Sequence, residues 1–409
     1  MRERFAWLGR FALGALIIGL LVFLIYQIPA VRNQLEWRLD AAAGIVRGWI
    51  YPGDTLPTPS TPMALPTQSA TRTPTPTASA EVEATPFPTP TPLPSSVRLP
   101  TPNYEKQDWN NCGPAALALG LRFYGWTGDQ FDISSLIKPD RGDKNVSVSE
   151  LVYYVRTQAG WLGVVDRVGG DLELLKNFLA NGFAVIVEKS FELDPDQGGG
   201  GWTGHYLLLT GYDDAEQAFV SQDTYHGPDR WISYQELDDG WRAFNRVFIV
   251  IHPLDRAGEV EALLGADADE DTNRQRALEA ARLEIEADAE NAFAWANMGA
   301  NLLYFERYSE AAEAYDTALT LGLPWRYTRH QFGPYIAYFN VGRFEDVITL
   351  TETTLHRAPK AEEALLWHGW ASFQLGDVQT AIDDFRAALR VKPSYNDALY
   401  GLEFLGVGP

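Results

Sequence analysis

The longest uninterrupted run of apolar residues lies near the amino end, in 11-FALGALIIGLLVFLIYQI-28, and it contains no charged residue. A helix of about 17 to 25 apolar residues crosses the hydrocarbon core of a bilayer, so this run predicts a transmembrane signal anchor. Residues 1–10, which carry three arginines, form the predicted cytoplasmic N-terminus. A cleaved signal peptide is the alternative, although no small-x-small cleavage site directly follows the run.

Residues 29–50 show a different, amphipathic pattern. Apolar residues recur there at helical spacing with arginines between them, as at Leu35, Leu39 and Ile45. This spacing predicts a juxtamembrane helix that lies on the bilayer surface. A simple extension of the membrane helix fits the same pattern.

The periodic pattern stops in residues 51–103, where Thr-Pro pairs dominate. Residues 52–102 hold 14 of the 25 prolines of the chain. Proline removes an amide donor and fixes φ, so the segment predicts a disordered, extended linker. Stalks rich in Ser, Thr and Pro are typical of cell exteriors. We therefore expect a single-pass protein of the cell membrane whose catalytic and repeat domains are extracytoplasmic.

Residues 104–254 show helical periodicity first and strand periodicity afterwards. Helices are predicted from about Cys112 onward, in 147–160 after a Ser-x-x-Glu capping box, and in 171–182 after an Asp cap. Strands are predicted in 183-FAVIVEK-189, 205-HYLLLTGYD-213, 217-QAFVSQD-223 and 246-RVFIVIH-252. Helices followed by strands indicate an α+β domain. A hairpin turn is predicted at Gly211–Asp214, between the second and third strands.

Residues 255–272 form an acidic linker, and the pattern from 273 to 409 is helical throughout. Within it, Ala311, Val347 and Ala381 recur with separations of 36 and 34 residues. This spacing resembles that of the tetratricopeptide repeat, a pair of helices with a period of about 34 residues. We therefore expect an all-α tetratricopeptide-repeat domain over 273–409.

The composition narrows the possible partners. The formal net charge is −21, which argues against nucleic acid as a partner because its phosphates require a basic surface. Six histidines are scattered along the chain and there is one cysteine, so the sequence suggests no metal-ligand cluster. No phosphate-cradling glycine loop precedes a helix. We predict no metal and no cofactor.

The only cysteine opens an apolar helix in 107-QDWNNCGPAALAL-119. Asn is a favoured N-cap and proline is favoured in the first turn, so Cys112 is predicted at the positive end of the helix dipole. That position stabilises a thiolate and lowers the pKa of the thiol. The more ordinary interpretation of a lone cysteine is a small buried apolar residue.

Two further residues could activate this thiol. His205 begins an apolar strand and Asp223 ends the next one, so a hairpin would bring both to the same end of the sheet. Asp223 could then orient the imidazole, as in other activated nucleophiles. Gln107, five residues before Cys112, is a candidate oxyanion donor together with the Cys112 amide. The rival candidates for the general base are His226 and His252.

The motif QDWNNCGPAALAL, with GHYLLLTGYDD about ninety residues later and an aspartate after it, resembles the papain-like cysteine peptidases of the bacteriocin-processing type. The resemblance covers residues 104–254. It implies a papain-like fold with Cys112 as nucleophile, His205 as general base, Asp223 as orienting residue and Gln107 as oxyanion donor. The spacing from Gln to Cys is one residue shorter than is usual in papain-like enzymes. No substrate class follows from the resemblance.

Aromatic residues of the repeat region predict a binding groove. In the tetratricopeptide register, the positions that face the groove are Phe293, Tyr304, Phe332, Phe339, Trp370 and Phe373. An aromatic groove suits a polypeptide, which would be either the substrate or the chain's own linker. Ordinary packing between repeats is the alternative interpretation.

These features predict a membrane-anchored thiol peptidase that hydrolyses peptide bonds and whose repeats bind a protein or peptide. An acyltransferase that uses the same triad is one alternative. A catalytically silent papain-like domain that binds peptides is another. A purely structural surface protein is a weaker alternative because all three members of the triad are present.

Overall fold

The computed structural model describes residues 2–60, 92–143, 145–193 and 200–409 of the chain. The chain divides into two units, Met1–Pro52 with Leu193–Gly201 and Gly53–Glu192 with Trp202–Pro409.

The smaller unit contains the helices α1 (Arg2–Tyr26) and α2 (Pro29–Ile50). Proline at the start of α2 is favourable because the first amide of a helix has no intrahelical partner. Within the described ranges, no helix is both long enough and apolar enough to cross a membrane. The anchor at 11–28 and the localisation that depends on it stay predictions.

The described residues of the larger unit form a seven-stranded sheet. Its strands are β1 (Ser96–Arg98), β2 (Leu162–Arg167), β3 (Val185–Leu193), β4 (Gly201–Asp213), β5 (Ala218–Asp223), β6 (Gly227–Ser233) and β7 (Phe248–Pro253). The strand order is β2-β7-β3-β4-β5-β6, and β1 pairs with β4. Each strand pair with a described register is antiparallel.

Helices accompany both faces of this sheet. They are α3 (Cys112–Phe123), α4 (Gln130–Ile137), α5 (Val148–Gln158), α6 (Leu172–Ala180), α7 (Tyr234–Trp241) and α8 (Ala257–Leu264). Successive strand residues point to opposite faces, so Ile186 and Leu208 join one core with α3 and α5. Val187 and Leu209 join a second core with α6 and α7. This arrangement agrees with the predicted α+β class.

Several predicted elements are present near their predicted positions. Helices α5 and α6 begin after the predicted caps, Ser147 and Asp171, whose side chains accept backbone N–H groups. The four predicted strands correspond to β3, β4, β5 and β7. Strands β1, β2 and β6 and helices α4 and α7 were not predicted. The exposed side chains along most of β6 explain why it shows no apolar alternation.

The predicted hairpin between β4 and β5 is present, but its turn lies after the predicted position, Gly211–Asp214. Strand β4 continues to Asp213, and the turn occupies residues 214–217. Gly211 pairs with Arg98 on β1, where a Cβ atom would lie 2.5 Å from the carbonyl oxygen of Val97. Glycine therefore permits the close approach of a neighbouring strand and does not mark a turn.

The region after residue 268 is helical. It contains α9 (Glu270–Ala287), α10 (Ala292–Tyr304), α11 (Tyr308–Leu321), α12 (Tyr327–His330), α13 (Gly333–Asn340), α14 (Phe344–Arg357), α15 (Glu362–Gln374), α16 (Val378–Val391) and α17 (Asn396–Phe404). A Cβ atom on Gly299 would lie 2.9 Å from the Tyr315 ring, and one on Gly369 would lie 2.8 Å from the Phe385 ring. Small residues thus let paired helices approach closely, which is consistent with the predicted tetratricopeptide repeat. The short helix α12 interrupts the series between α11 and α13.

Both predicted linkers contain ordered parts. Residues 61–91 of the proline-rich segment lie outside the described residues, but Leu56 is 3% exposed and packs with the repeat helices. At its other end, β1 pairs with β4. In the acidic segment, α8 buries Val260 and Leu264 in the core beside α6. Composition predicts neither attachment, because each depends on a few side chains.

Candidate active site

Cys112 is the first residue of α3, a helix whose residues from Gly113 to Leu121 are all buried. The first helical bond runs from the Ala115 amide to the Asn111 carbonyl oxygen, at 3.0 Å. The Asn111 side chain does not cap this helix and instead donates to Gln130 Oε1 at 2.8 Å. This buried bond positions the turn that carries the thiol, in place of the expected cap.

The hairpin of β4 and β5 brings His205 and Asp223 together. Leu208 pairs with Gln222 in this hairpin, so the start of β4 lies beside the end of β5. His205 Nε2 lies 2.9 Å from Asp223 Oδ1. Both side chains are buried, with 4% and 7% of each residue exposed. The other imidazole nitrogen, Nδ1, is then the one available to the hydrogen bond that joins His205 to Cys112.

Four donors surround the Asp223 carboxylate. Besides His205, Oδ1 accepts the backbone amides of Tyr225 and His226 at 2.8 and 3.0 Å. Oδ2 lies 2.8 Å from His226 Nδ1. Burial opposes ionisation, but these hydrogen bonds and the charge of His205 outweigh it and hold the pKa of Asp223 below its ordinary value. Asp223 is therefore an ionised carboxylate.

The charges of Cys112 and His205 support each other. Burial disfavours the thiolate, but the hydrogen bond and charge of His205 outweigh this effect and lower the pKa of Cys112. Burial also disfavours the imidazolium, yet Asp223 and Cys112 raise the pKa of His205 to about 9. These shifts favour the thiolate and imidazolium forms of the pair. This is the charge state from which a thiol attacks a carbonyl carbon.

The two rival histidines occupy other positions. His226 binds the second oxygen of Asp223, and its side chain is 49% exposed. His252 lies on β7, which β3 separates from β4, and its Nδ1 is 2.9 Å from the Pro253 carbonyl oxygen. Of the three candidates, His205 is the one whose hydrogen bond lowers the pKa of the thiol.

Gln107 lies beside the end of β5. Its backbone amide donates to the Thr224 carbonyl oxygen at 2.9 Å, and its side-chain Oε1 accepts from Thr224 Oγ1 at 2.9 Å. These bonds fix the side chain through its oxygen, whereas the predicted oxyanion role requires its amide nitrogen. That role stays a prediction. The neighbouring Asp108 binds Arg141 through both carboxylate oxygens, at 2.6 and 2.7 Å.

Two buried residues near the site were not predicted, Glu188 on β3 and His330 on α12. His330 Nε2 accepts the backbone amide of Gly204 at 3.2 Å, and Gly204 directly precedes His205. Its Nδ1 lies 3.3 Å from Glu188 Oε1. Burial holds the pKa of Glu188 well above its ordinary value, and the nearby Cys112 raises it further. The repeat region thus contacts the strand that carries the proposed base.

Trp202 strengthens this contact. Its ring stacks on Phe244 at 5.5 Å and on Phe293 of α10 at 5.7 Å, and the edge of His330 meets it at 5.9 Å. A Cβ atom on Gly204 would lie 2.7 Å from Phe244 and 2.8 Å from His330. The first residues of β4 are therefore enclosed by aromatic rings from both domains.

The sequence contains one weak signal for this contact. The middle repeat is two residues longer than the next, with a separation of 36 residues between Ala311 and Val347 and 34 between Val347 and Ala381. Helix α12, which carries His330, lies within the longer interval.

The predicted groove residues belong to several clusters. Phe293 stacks on Trp202, whereas Phe332 and Phe339 pack against the core of the first repeats. Trp370 and Phe373 pack around Phe404 of α17, at 5.6 Å each. Tyr304 donates to Asp271 Oδ1 at 2.7 Å. These contacts favour packing between helices, which was the alternative interpretation, over one continuous groove.

In the ranges that the structure describes, no three His, Cys, Asp or Glu side chains are arranged to hold a metal ion.

Comparisons with known proteins identify the α+β domain. Residues 98–249 match the model of the Peptidase_C39 like family, which confirms the resemblance inferred from the cysteine and histidine motifs. No curated protein matches the chain.

Solved structures similar to this chain include peptidases and a repeat protein. A C39-like peptidase from Bacillus anthracis is 19% identical, with a TM-score of 0.32, over 38% of this chain and 96% of its own. Xylellain, a cysteine protease from Xylella fastidiosa, is 15% identical, with a TM-score of 0.30, over 40% and 87%. YrrB, a TPR protein with an unusual peptide-binding site, is 16% identical, with a TM-score of 0.20, over 36% and 89%.

Proposed function

We propose that the Peptidase_C39-like domain at residues 98–249 is a cysteine peptidase that hydrolyses peptide bonds. The observation that carries this proposal is the chain of contacts from Cys112 through His205 to Asp223, in which His205 Nε2 lies 2.9 Å from the carboxylate. A buried thiol with no chemical role would gain nothing from a charged imidazole, because isolated buried charges are costly. The ionised pair and its carboxylate fit an activated nucleophile.

The proposed reaction has two steps. The Cys112 thiolate attacks the carbonyl carbon of the scissile peptide, and His205 transfers its Nδ1 proton to the leaving amine as the C–N bond breaks. A water molecule then attacks the thioester, giving a proton to His205, and the carboxylic acid product leaves as the thiolate is regenerated. Asp223 keeps the imidazole oriented and stabilises its positive charge throughout.

The negative oxygen of each tetrahedral intermediate requires donors. The backbone N–H of Cys112 lies at the start of α3, where amides have no intrahelical acceptor. The Gln107 amide is the proposed second donor, held in place by Thr224. In acyl-transfer enzymes, one such donor stabilises the transition state by about 2.7 to 4 kcal/mol.

Membrane attachment is part of the proposal. Residues 11–28 form the anchor, and the peptidase and repeat domains lie outside the cytoplasm. Support comes from the charge-free apolar run and from the exposed apolar side chains of α1, among them Leu16 and Ile18. We expect the protein to remain in the membrane pellet after alkaline extraction and to be digested by protease added to intact cells. Release by alkali would contradict the anchor.

The repeat region has a proposed role in binding a protein or peptide partner.

The proposed peptidase activity has a direct test. A thiol-directed peptide probe should label wild-type protein and fail to label Cys112→Ala, and His205→Ala should be labelled much more slowly. Unlabelled peptides should be cleaved by wild-type protein alone, as shown by mass spectrometry of the products.

Alkylation at pH 6 separates an enzyme from a catalytically silent binding domain. An ordinary thiol, with a pKa of about 8.5, reacts slowly there because little thiolate is present. We expect Cys112 to react rapidly with iodoacetamide at this pH. A slow reaction that accelerates only above pH 8 would contradict the proposal.

A further inference from the structure

A short segment at the start of the proline-rich linker is bound to the repeat helices. The Leu56 amide donates to the Leu323 carbonyl oxygen at 2.9 Å, and the Trp325 amide donates to the Asp54 carbonyl oxygen at 2.9 Å. These two bonds form an antiparallel bridge between Thr55 and Pro324. The segment thus pairs its backbone with the connection between α11 and α12, as an added strand does in peptide recognition.

One side chain anchors the segment in the apolar core of the repeats. Leu56 is 3% exposed and belongs to the same cluster as Leu319, Leu323 and Tyr327. The following residue, Pro57, cannot donate a hydrogen bond and keeps the chain extended. A leucine followed by proline therefore enters the pocket with little loss of backbone freedom.

A hydroxyl at the end of the segment is recognised by a carboxylate. Both the backbone amide and Oγ of Ser60 donate to Asp346 Oδ1, at 2.9 and 2.7 Å. Arg343 Nε holds the other oxygen, Oδ2, at 2.7 Å. Burial opposes the charge of Asp346, but these hydrogen bonds outweigh it and lower its pKa. The carboxylate is therefore a fixed, ionised acceptor.

Positive charge lies at the other end of the segment. Arg326 and Arg357 each lie 4.7 Å from the centre of the Trp325 ring. Burial lowers the pKa of both guanidinium groups, and the nearby negative charge of Asp54 opposes this effect. An acidic residue two positions before the leucine thus complements this surface.

We propose that the surface formed by Leu323, Trp325 and Asp346 is a sequence-specific docking site for extended peptides. The recognised pattern is an acidic residue, Leu-Pro two positions later, and a hydroxyl four residues after the leucine. Gly53–Ser60 is the resident occupant of this site, bound within the same chain. The attachment consists of one buried apolar side chain and four hydrogen bonds, so it is small enough to be displaced by a peptide of the same pattern. The proposal does not depend on peptidase activity.

Peptide binding in trans tests the site. The probe is a fluorescein-labelled peptide, Asp-Thr-Leu-Pro-Thr-Pro-Ser, added to full-length protein and followed by fluorescence anisotropy. In wild-type protein the resident segment competes at high effective concentration, so binding should be at least about tenfold weaker than in a variant with the site vacated. Two variants vacate the site: Leu56→Ser, and replacement of residues 54–60 by a Gly-Ser sequence of equal length.

The controls identify the recognised groups. A peptide with serine in place of its leucine should not bind either vacated variant. The double variant Leu56→Ser with Asp346→Asn should bind the original peptide about tenfold more weakly than Leu56→Ser alone, because it lacks the charged hydrogen-bond acceptor. Circular dichroism checks that each variant is folded. Failure of both folded, vacated variants to bind the peptide would overturn the proposal. Equal binding to wild-type protein, or dimerisation in light scattering that Leu56→Ser abolishes, would overturn occupancy within the same chain.

Discussion

Strand β4 and the repeat helix α12 each contribute a buried histidine, and the two imidazoles differ in charge. Burial disfavours the charged form of His205, yet Asp223 and Cys112 raise the pKa of His205 to about 9. His330 is equally buried, and its neighbours Arg329 and Arg326 add to the burial effect and hold its pKa well below the ordinary value. One region therefore has an imidazolium and the other a neutral imidazole.

The difference assigns different tasks to the same side chain. A charged His205 has a proton to donate to a leaving group, which general acid catalysis requires. A neutral His330 has an unprotonated nitrogen, Nε2, which accepts the Gly204 amide. This bond assigns the proton to Nδ1, which lies 3.3 Å from Glu188 Oε1. The Peptidase_C39-like domain carries the proposed catalytic residues, and the repeat region contacts the strand that holds His205.

The largest expected effect comes from removing the negative charge that keeps His205 protonated. Asp223→Asn should lower kcat/KM about 10³- to 10⁴-fold, since an amide neither orients nor stabilises the imidazolium. Wild-type hydrolysis should decline as pH rises through about 9, where His205 loses its proton. In the variant this decline should move toward about 6.5, the ordinary value for histidine. Rate measurements between pH 5 and 10 would check both.

The chain offers a matched control for this change. His368 and Asp384 form a similar pair on the repeat helices, with Nδ1 and Oδ2 at 2.6 Å. Asp384→Asn should leave the rate and its pH dependence unchanged. An equal loss in the two variants would mean that the substitutions act through folding and not through the charge on His205.

The second prediction concerns the neutral imidazole. His330→Leu should leave the Gly204 amide buried without an acceptor, at a cost of about 1 to 3 kcal/mol. If about half of this cost appears as misplacement of His205, kcat falls about two- to tenfold, since 1.36 kcal/mol corresponds to tenfold in rate. His330→Gln keeps an acceptor and should restore most of the rate. Steady-state kinetics with a small peptide would separate an effect on kcat from one on KM.

His368→Gln is the control, because it changes a repeat histidine that does not contact β4. If His330 positions His205, the variants His330→Leu and His330→Gln should differ in kcat while both remain folded. Equal rates for the two would remove His330 from the site and leave it as a packing residue of the interface.

The sequence predicts a contact when its residues are close along the chain, and it fails when they are far apart. His205 and Asp223 are 18 residues apart on a hairpin, so local strand patterns bring them together. Cys112 was placed by its helix start, but its convergence with His205 required the family resemblance. Glu188 and His330 come from different domains, and no local pattern predicts their contact. Leu56 has the same difficulty: its proline-rich surroundings indicate a spacer, whereas its burial depends on a pocket formed far along the chain.

A smaller effect tests the charge on the partner of His330. Glu188 is held neutral in the folded protein, so it keeps a proton that the unfolded chain releases above the ordinary value of 4.5. The free energy of unfolding should therefore fall as pH rises above 4.5, by at most about 1.4 kcal/mol per pH unit. His330 acts in the opposite sense, because the unfolded chain binds a proton below 6.5 that the folded protein excludes. Of these two groups, only Glu188 still contributes above pH 6.5.

Glu188→Gln isolates this contribution. The difference in unfolding free energy between wild-type protein and the variant, measured with urea from pH 6.5 to 8.5, should decrease steadily as pH rises. Glu259→Gln is the control, since Glu259 is an exposed carboxylate paired with Arg256. A difference that does not change with pH would mean that Glu188 is already ionised, and that it forms a buried ion pair with a charged His330.

The smallest expected effect separates His205 from its nearest rival. His226→Ala removes one of the four donors to Asp223, from a side chain that is 49% exposed. His205 and the backbone amides of residues 225 and 226 remain, so the carboxylate stays ionised and the imidazolium stays oriented. A hydrogen bond to a charged group contributes about 1.5 to 3 kcal/mol, and much less at an exposed side chain that solvent can replace. We therefore expect kcat/KM to fall by no more than about threefold, with the decline near pH 9 unchanged. If His226→Ala instead abolished cleavage while His205→Ala retained it, the general base would be His226, and the contrast between the two buried imidazoles would no longer describe the catalytic site.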